Sequence, residues 1–311
     1  MIKRLLKKSY SAHIGWYVWK NVRRSAYARR HGRIATGGAY SSRSPLEAAQ
    51  RALKWGSEFR NRISPDRLRR LDSVVELGAG DSLAIAILWI GFGAKKVSGI
   101  DAFGDPRNLR HEKAVVESLL TLLPAEECRR IRDVVDLGRD TLVVDSSRVT
   151  YLEHTPCERI LEKIPDGSVD VVYSLALLEH VRDLDRTLRA VYATLGPLGE
   201  MIHRVDLRNH GVLAEFGDQA FLRPSPLVWR LMGGDKGLHN RKRLGFYKEV
   251  LEDCGAEVSI ESDVQYEVAT PEALTGEGSS RVRVFWLAAR RPALPSAFGG
   301  AAEANTQERA G

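Results

Sequence analysis

The parts of this 311-residue chain best suited to chemistry are one glycine-rich turn and two histidine-bearing stretches. The turn reads Glu76-Leu77-Gly78-Ala79-Gly80-Asp81-Ser82, between an apolar run with strand character and an apolar run with helix character. Glycine there allows a tight turn and a close approach of backbone to a ligand. The following helix begins with free N–H groups, and Asp81 or Ser82 is expected to cap it. Asp101 ends the next strand-like run, where a carboxylate can accept hydrogen bonds from two ribose hydroxyls. A dinucleotide turn would carry a third glycine where Leu83 stands, and no Gly-Lys-Ser/Thr phosphate loop occurs. Glu76 is a mismatch for pyrophosphate and suits an amine-bearing ligand. The turn and its acidic partner point to a nucleoside.

The histidines come next. His180 follows the run VDVVYSLALLE, and His203-Arg204-Val205-Asp206-Leu207-Arg208-Asn209-His210 closes a later strand-like run. An imidazole near neutral pKa suits proton removal. While the strand lasts, alternation puts His203 and Val205 on one face and Arg204 and Asp206 on the other. Asn240-Arg241-Lys242-Arg243 supplies guanidiniums that can grip a carboxylate or phosphate. Each has a plainer reading: packing or capping for His180, an Asp206–Arg208 loop cross-link, and a solvated charge run for 240–243. Cys128, Cys157 and Cys254 form no C-x-x-C pair, which excludes a disulfide-dense secreted fold and a cysteine-rich zinc site. No metal site is expected.

The elements that must position these residues alternate. Strands are expected over Asp72–Gly80 (DSVVELGAG, ending in glycines), Lys96–Asp101, Arg148–Leu152, Val169–Tyr173 and Glu200–Val205, with a final pair at Ala256–Glu261 and Arg281–Ala288. Helices are expected over Leu46–Arg60, from Pro65 with Pro at its first position, over Ser82–Ile90, His111–Leu123, Ala125–Leu137, Val181–Leu195 and Tyr247–Cys254. Pro224–Asn240 reads as an irregular insertion with some helix. Strand–helix–strand within thirty residues marks a mostly parallel sheet. The domain reading is a basic amphipathic extension over 1–33, a linker and helical cap over 34–70, an α/β domain over 71–291 and a loose tail over 292–311.

Charge is unevenly distributed. Residues 1–33 hold ten Lys/Arg and no Asp/Glu, whereas the formal net charge of the whole chain is +7. Apolar residues recur at helical spacing through this segment, with Trp16 and Trp19 suited to a polar–apolar boundary. Three readings stay open for it: a helix on an anionic membrane surface, a basic arm for nucleic acid, or an extension packed on the domain or over its active site. No apolar run reaches transmembrane length, and no signal peptide is expected. The expected location is cytoplasmic, with the inner membrane face as an option.

The segment Glu76–Gly80 resembles motif I (E-x-G-x-G) of the class I S-adenosylmethionine-dependent methyltransferases. Residues Ile164–Glu200 resemble that family's stretch around the fourth strand: Asp170, Ser174, Leu178-Glu179-His180-Val181, then Gly196-Pro197-Leu198-Gly199 where the family has Pro-Gly-Gly. The resemblance implies a Rossmann-like seven-stranded, mostly parallel sheet with helices on both faces and an antiparallel last strand beside the sixth. It implies S-adenosyl-L-methionine as cofactor, held through Glu76, Gly78, Ala79, Gly80, Asp101, Ala102, Phe103 and Ser174. Many relatives carry an Asp after the third strand; Glu153 and Glu158 stand in that region here. His203, His180 and Asp206 are the expected catalytic residues, with His210, Arg208, Asn240, Arg241 and Arg243 toward the acceptor. Ser174-Leu175-Ala176-Leu177 replaces the Asn-Pro-Pro-Tyr of adenine methylation, and no Pro-Cys follows the fourth strand for cytosine. A small-molecule or glycan-like acceptor, methylated on oxygen, is the leading expectation. A non-catalytic cofactor-binding scaffold and a nucleic-acid methyltransferase are the alternatives.

Overall fold

The structure is a computed structural model, and it describes residues 9–31, 40–103, 107–233, 238–265 and 282–292. The tail expected from 293 onward, the first eight residues and most of the expected linker lie outside them.

Helix α1 (Tyr10–His31) is followed by α2 (Pro45–Arg60) and the one-turn α3 (Pro65–Leu68). The sheet elements then alternate with helices. They run β1 (Ser73–Leu77), α4 (Ala84–Gly91), β2 (Lys96–Ile100), α5 (Leu109–Leu120), α6 (Ala125–Arg132), the small pair β3 (Val135–Asp136) and β4 (Val143–Val144), and β5 (Val149–Leu152). After them come β6 (Val169–Leu175), α7 (Leu184–Thr194), β7 (Leu195–Asp206), α8 (Pro226–Met232), α9 (Leu244–Asp253), β8 (Glu257–Gln265) and β9 (Val282–Arg290).

Seven strands form one sheet in the order β5-β2-β1-β6-β7-β9-β8. The first five pair in parallel, and β9 lies between β7 and β8, antiparallel to both. This is the expected doubly wound, Rossmann-like sheet. Its order reverses beside β1, so the C-terminal ends of β1 and β6 flank the crevice in which such sheets bind ligands.

Both faces are covered. On one, α4 is buried at every residue, Ala84 to Gly91. Phe59, Trp89, Tyr173 and Trp286 pack around it in one apolar core. On the other, Val75, Leu77, Val172, Met201 and Val205 of the strands meet Leu188 and Val191 of α7 and Tyr247 and Leu251 of α9. A third, smaller core joins α1 to the insertion after β7: Tyr10, Ile14, Tyr17 and Val18 pack on Val212, Leu213, Phe221, Trp229 and Met232.

Several boundaries differ from expectation for local reasons. Helix α4 starts at Ala84, two residues late: Asp81 is engaged elsewhere, Ala84 N–H reaches Ser82 Oγ at 3.2 Å, and Leu83 N–H donates to Glu112 of α5 at 2.8 Å. The helix expected to reach Leu137 stops at Arg132, and Val135–Asp136 pairs with Val143–Val144. Helix α7 starts at Leu184, where Asp183 accepts from Arg186 N–H. Strand β7 begins at Leu195, through the altered glycine turn; Leu198 takes φ +60°, the left-handed region that glycine fills in the family pattern. Pro65 does open α3, behind a Ser64 cap.

Candidate functional site

The nucleoside side is built on the end of β1. The N–H groups of Gly78 and Ala79 both donate to the Ile100 carbonyl (2.8 and 3.2 Å), which ties the turn to β2. Gly78 and Gly80 have φ of +73° and +62°, the left-handed conformation glycine favours. A Cβ on Gly78 would come within 2.8 Å of the Leu177 side chain, whereas the nearest atom to a Cβ on Gly80 is 3.9 Å away. Gly80 therefore keeps an open backbone surface. Its N–H donates to Asp101 Oδ2 at 3.0 Å, and Phe103 N–H donates to Asp101 Oδ1 at 2.8 Å. Each carboxylate oxygen retains a lone pair for a further donor, and Asp101 is only half-buried. Ala102 is half-buried and Phe103 exposed beside it; Glu153 is exposed and Glu158 half-buried.

Glu76 alternates away from Leu77 and is buried beneath α4. Tyr173 Oη donates to it at 2.8 Å. Burial dominates that bond and pushes the Glu76 carboxyl up to about 8. Asp81 accepts the N–H groups of Tyr40 (3.2 Å) and Ser41 (2.8 Å), so the chain entering α2 is strapped over the turn. On β2, Gly99 lets the turn sit close: a Cβ there would lie 2.6 Å from Leu83 Cδ2 and 2.9 Å from Ala79 Cβ. An open glycine backbone, a half-exposed carboxylate at Asp101 and a buried carboxylate at Glu76 fit an adenosyl cofactor that carries an amino group.

The second half of the site lies beyond the C-terminal ends of β6 and β7. Asp206 ends β7; Arg208 Nε donates to its Oδ1 at 2.8 Å and His210 Nε2 lies 3.3 Å from its Oδ2. Burial raises the Asp206 carboxyl, but the bonds from Arg208 and His210 prevail and hold it well below the usual carboxylate range. The rings of His180, His210 and His239 pack with centroids 4.5 to 5.3 Å apart. Each offers a nitrogen within 4.8 Å of the other two. Four non-glycine residues at this edge hold positive φ: Ala176 (+52°), His210 (+47°), Leu213 (+57°) and Arg241 (+66°). Strained backbone of this kind persists where surrounding structure over-determines it, and it gathers at functional sites.

Not every expected residue reaches this edge. His203 is 0% exposed, inside β7 beside Ser174 of β6, and shares a 2.8 Å hydrogen bond with the Ser174 hydroxyl through Nδ1. Burial pushes the His203 imidazole down to about 3. His203 and Ser174 therefore form a buried pair below the edge. The amide of Asn240 is consumed locally: Nδ2 donates to the carbonyls of Leu178 (2.7 Å) and Val181 (3.0 Å), and Oδ1 accepts Lys242 N–H. Its backbone N–H donates to the Glu179 carbonyl at 2.7 Å. These bonds set His239 against His180. Arg241 donates to the carbonyls of Leu222 and Pro224 and stacks on Trp229, and Arg243 donates to the Leu207 carbonyl. Arg208 is exposed at the rim.

Sequence reasoning passed over His239. It is separated by 29 residues from His210 and has no metal-motif spacing; its 3% exposure, with neither ring nitrogen hydrogen-bonded, is a property of the fold. The clefts lined by Arg62, Ser64, Glu200, Glu257 and Arg290 lie at the opposite end of the strands and touch neither half of the site.

Comparison with known proteins identifies the family. No curated protein matches the chain. Among solved structures, it is similar to phosphoethanolamine N-methyltransferase 2 of Haemonchus contortus in complex with S-adenosyl-L-methionine (15% identity, TM-score 0.41, covering 71% of this chain and 49% of that one). It is also similar to an S-adenosylmethionine-dependent methyltransferase of Mesorhizobium loti (19% identity, TM-score 0.40, covering 70% and 90%). Another, from Methanosarcina mazei, shares 14% identity with a TM-score of 0.43 over 75% and 99% of the two chains. The chain thus spans about half the length of the Haemonchus protein. The model of the family described as a methyltransferase domain matches residues 47–258, more than half of the chain, so the chain belongs to that family and is a class I S-adenosylmethionine-dependent methyltransferase.

Proposed function

We propose that the chain methylates an oxygen of a small-molecule or glycan-like acceptor seated at the histidine-lined edge beyond β6 and β7. The observation that carries this reading is the convergence of His180, Asp206 and His210 on the strand ends next to β1, whose turn is fitted to the cofactor. Gly78, Ala79 and Gly80 would take the methionine part against open backbone. Asp101 would take the ribose, with Ala102 and Phe103 beside the adenine and Glu76 toward the amino group. When bound, S-adenosyl-L-methionine supplies a methyl carbon made electrophilic by its sulfonium.

The chain's own residues then align the acceptor and accept its proton. The acceptor O–H proton passes to an imidazole at the edge as the O–CH3 bond forms. Transfer would break the S–CH3 bond with its electron pair left on sulfur, so that the spent cofactor would leave as a thioether. Ser174 and His203 act from below as positioning residues, and Asn240 fixes the His239 loop. Arg208 at the rim suits an acceptor that carries a carboxylate or phosphate.

A membrane-associated acceptor has its own support. The outward side of α1 presents Trp16 (55% exposed) stacked on Trp19 (46% exposed), with Arg23 over the Trp19 ring and Lys20, Arg24 and Arg30 exposed on the same helix. An exposed aromatic pair on a basic helix suits an anionic lipid surface.

The test is calorimetric titration with S-adenosylhomocysteine, followed by transfer assays against glycans and lipid-linked sugars. His180→Ala and His210→Ala should each lower transfer by about 100-fold or more and leave S-adenosylhomocysteine affinity within a factor of two or so. Unchanged transfer in both variants would overturn the placement of the acceptor.

A further inference from the structure

The three rings at the acceptor edge come from three separate loops. His180 closes the turn after β6, His210 follows β7, and His239 follows α8 and the rest of the insertion. Nothing in local sequence requires them to meet. A histidine cluster with no function would be expected to spread its rings to solvent or to hydrogen-bond them. Here His239 is buried, with neither ring nitrogen hydrogen-bonded, and it faces the other two. Its own backbone is secured twice over, by Trp229 Nε1 donating to its carbonyl at 2.9 Å and by the Asn240 bonds to the β6 loop. The ring is held in place by its neighbours and spends its polar atoms on nothing among the described residues.

We infer that His180, His210 and His239 bind one divalent transition-metal ion of the zinc class. The three nitrogens lie within 4.8 Å of one another. An ion with Zn–N distances of about 2.0–2.1 Å would draw them to roughly 3.4 Å in tetrahedral geometry, a shift of side-chain size. The donor set is three imidazoles with no thiolate or oxygen ligand among them, which selects zinc-like over calcium- or magnesium-like ions. Asp206 stands behind His210 in the position of an outer-shell carboxylate: His210 Nε2 lies 3.3 Å from its Oδ2, which leaves Nδ1 as the nitrogen to ligate.

Three protein ligands leave a fourth position open, as in ions that act on a substrate, and unlike closed structural sites. That position would take the acceptor oxygen and acidify its O–H, so that in the metal-loaded protein the proton would pass to solvent in place of a ligating imidazole. This last step deepens the reading of the edge as the acceptor site and rests on it; the metal site itself does not.

The experiment uses the full chain, stripped with a chelator and dialysed. Zinc is titrated in competition with a chromophoric chelator, and cobalt is added separately to read ligand-field absorption. The expected result is one equivalent of zinc. Affinity should fall about 100-fold or more in His210→Ala and in His239→Gln, and about 10- to 100-fold in Asp206→Asn. His210 is on an accessible loop, so its variant keeps the test decisive where the buried one loses its fold by circular dichroism. Absence of stoichiometric zinc in the wild-type protein overturns the inference, as does zinc binding that survives His210→Ala and His239→Gln together. S-adenosylhomocysteine is titrated into the stripped protein in parallel. Failure of that titration counts against the methyltransferase reading of the glycine turn and leaves the metal result standing.

Discussion

Glu76 carries a carboxyl that burial pushes up to about 8, from an ordinary 4.5. The folded chain therefore keeps a proton that the unfolded chain loses, and the protein loses stability as pH rises from about 4.5 to about 8 on account of this group. Glu76→Gln stays neutral at every pH, so its thermal midpoint should vary less over that range; an identical pH profile in both proteins would refute the assignment. The same group bears on the cofactor. An amino cation beside Glu76 favours the carboxylate, so binding should expel a proton, and affinity for S-adenosylhomocysteine should climb between pH 6 and pH 8 or so. Calorimetry in two buffers of different ionisation heat measures that proton directly, and Glu76→Gln should release none. Asp101 differs in kind, because its oxygens already hold Gly80 and Phe103. Asp101→Ala frees the turn and would remove the acceptor proposed for the ribose, and should weaken S-adenosylhomocysteine by about 10- to 100-fold. Leu198 supplies a stability prediction remote from the site. It is 53% exposed with φ +60°, a conformation costing a non-glycine residue about 1–2 kcal/mol. Leu198→Gly should raise stability by about 0.5–1 kcal/mol, since glycine also loses more freedom on folding; a fall in the denaturant midpoint would contradict this.

Among the elements, those written in contiguous residues were legible in advance. The β1 turn, Asp101 and the β6 segment could be read because strand alternation, glycine and a following helix occupy adjacent positions. Proline at Pro65 and serine at Ser64 likewise announce α3 locally. What stayed hidden depends on distant partners. Glu112 of α5 supplies the acceptor for Leu83 N–H, so α4 starts without the expected Asp81 cap, and Asp81 is left to hold Tyr40 and Ser41. His203 looked like a base from its place near a strand end. Only the flanking β6 and β9 make it a wholly buried partner of Ser174. His239 became visible only once the insertion had folded back on the β6 loop. Asn240 makes that fold-back, reading first as a substrate grip and serving in the structure as a staple. Asn240→Ala cuts hydrogen bonds to Leu178, Val181 and Lys242 and should cost about 2–3 kcal/mol, seen as a lower denaturant midpoint. It should impair transfer and zinc binding while S-adenosylhomocysteine, held at the β1 turn, binds as before. Equal losses at both halves of the site would mean that the insertion supports the whole sheet edge.

At the scale of the whole molecule, charge and architecture divide in the same place. The first 33 residues hold ten Lys/Arg and no Asp/Glu, and from residue 72 onward acidic residues outnumber basic ones, 37 to 29. Helix α1 carries the basic character and is seated on the insertion: Tyr17 Oη donates to the Gly211 carbonyl, next to His210, and Asn21 donates to Leu231. A surface gripped by the outer side of α1 would thus lie one helix away from the acceptor edge. No described helix is long and apolar enough to cross a membrane. Attachment through α1 should combine charge with shallow aromatic insertion. The full chain should sediment with vesicles of phosphatidylglycerol and phosphatidylcholine in equal parts, and not with phosphatidylcholine alone. Binding should fall steeply as salt shortens the Debye length from about 10 Å at 0.1 M to about 3 Å at 1 M. Trp16→Ala with Trp19→Ala should weaken it roughly 10-fold or more. Both rings point away from the third core, so thermal stability and S-adenosylhomocysteine affinity should hold. Retention of vesicle binding in that double variant would assign attachment to charge alone. Failure of the wild-type chain to bind anionic vesicles would leave α1 as a buttress of the insertion and turn the search toward water-soluble acceptors.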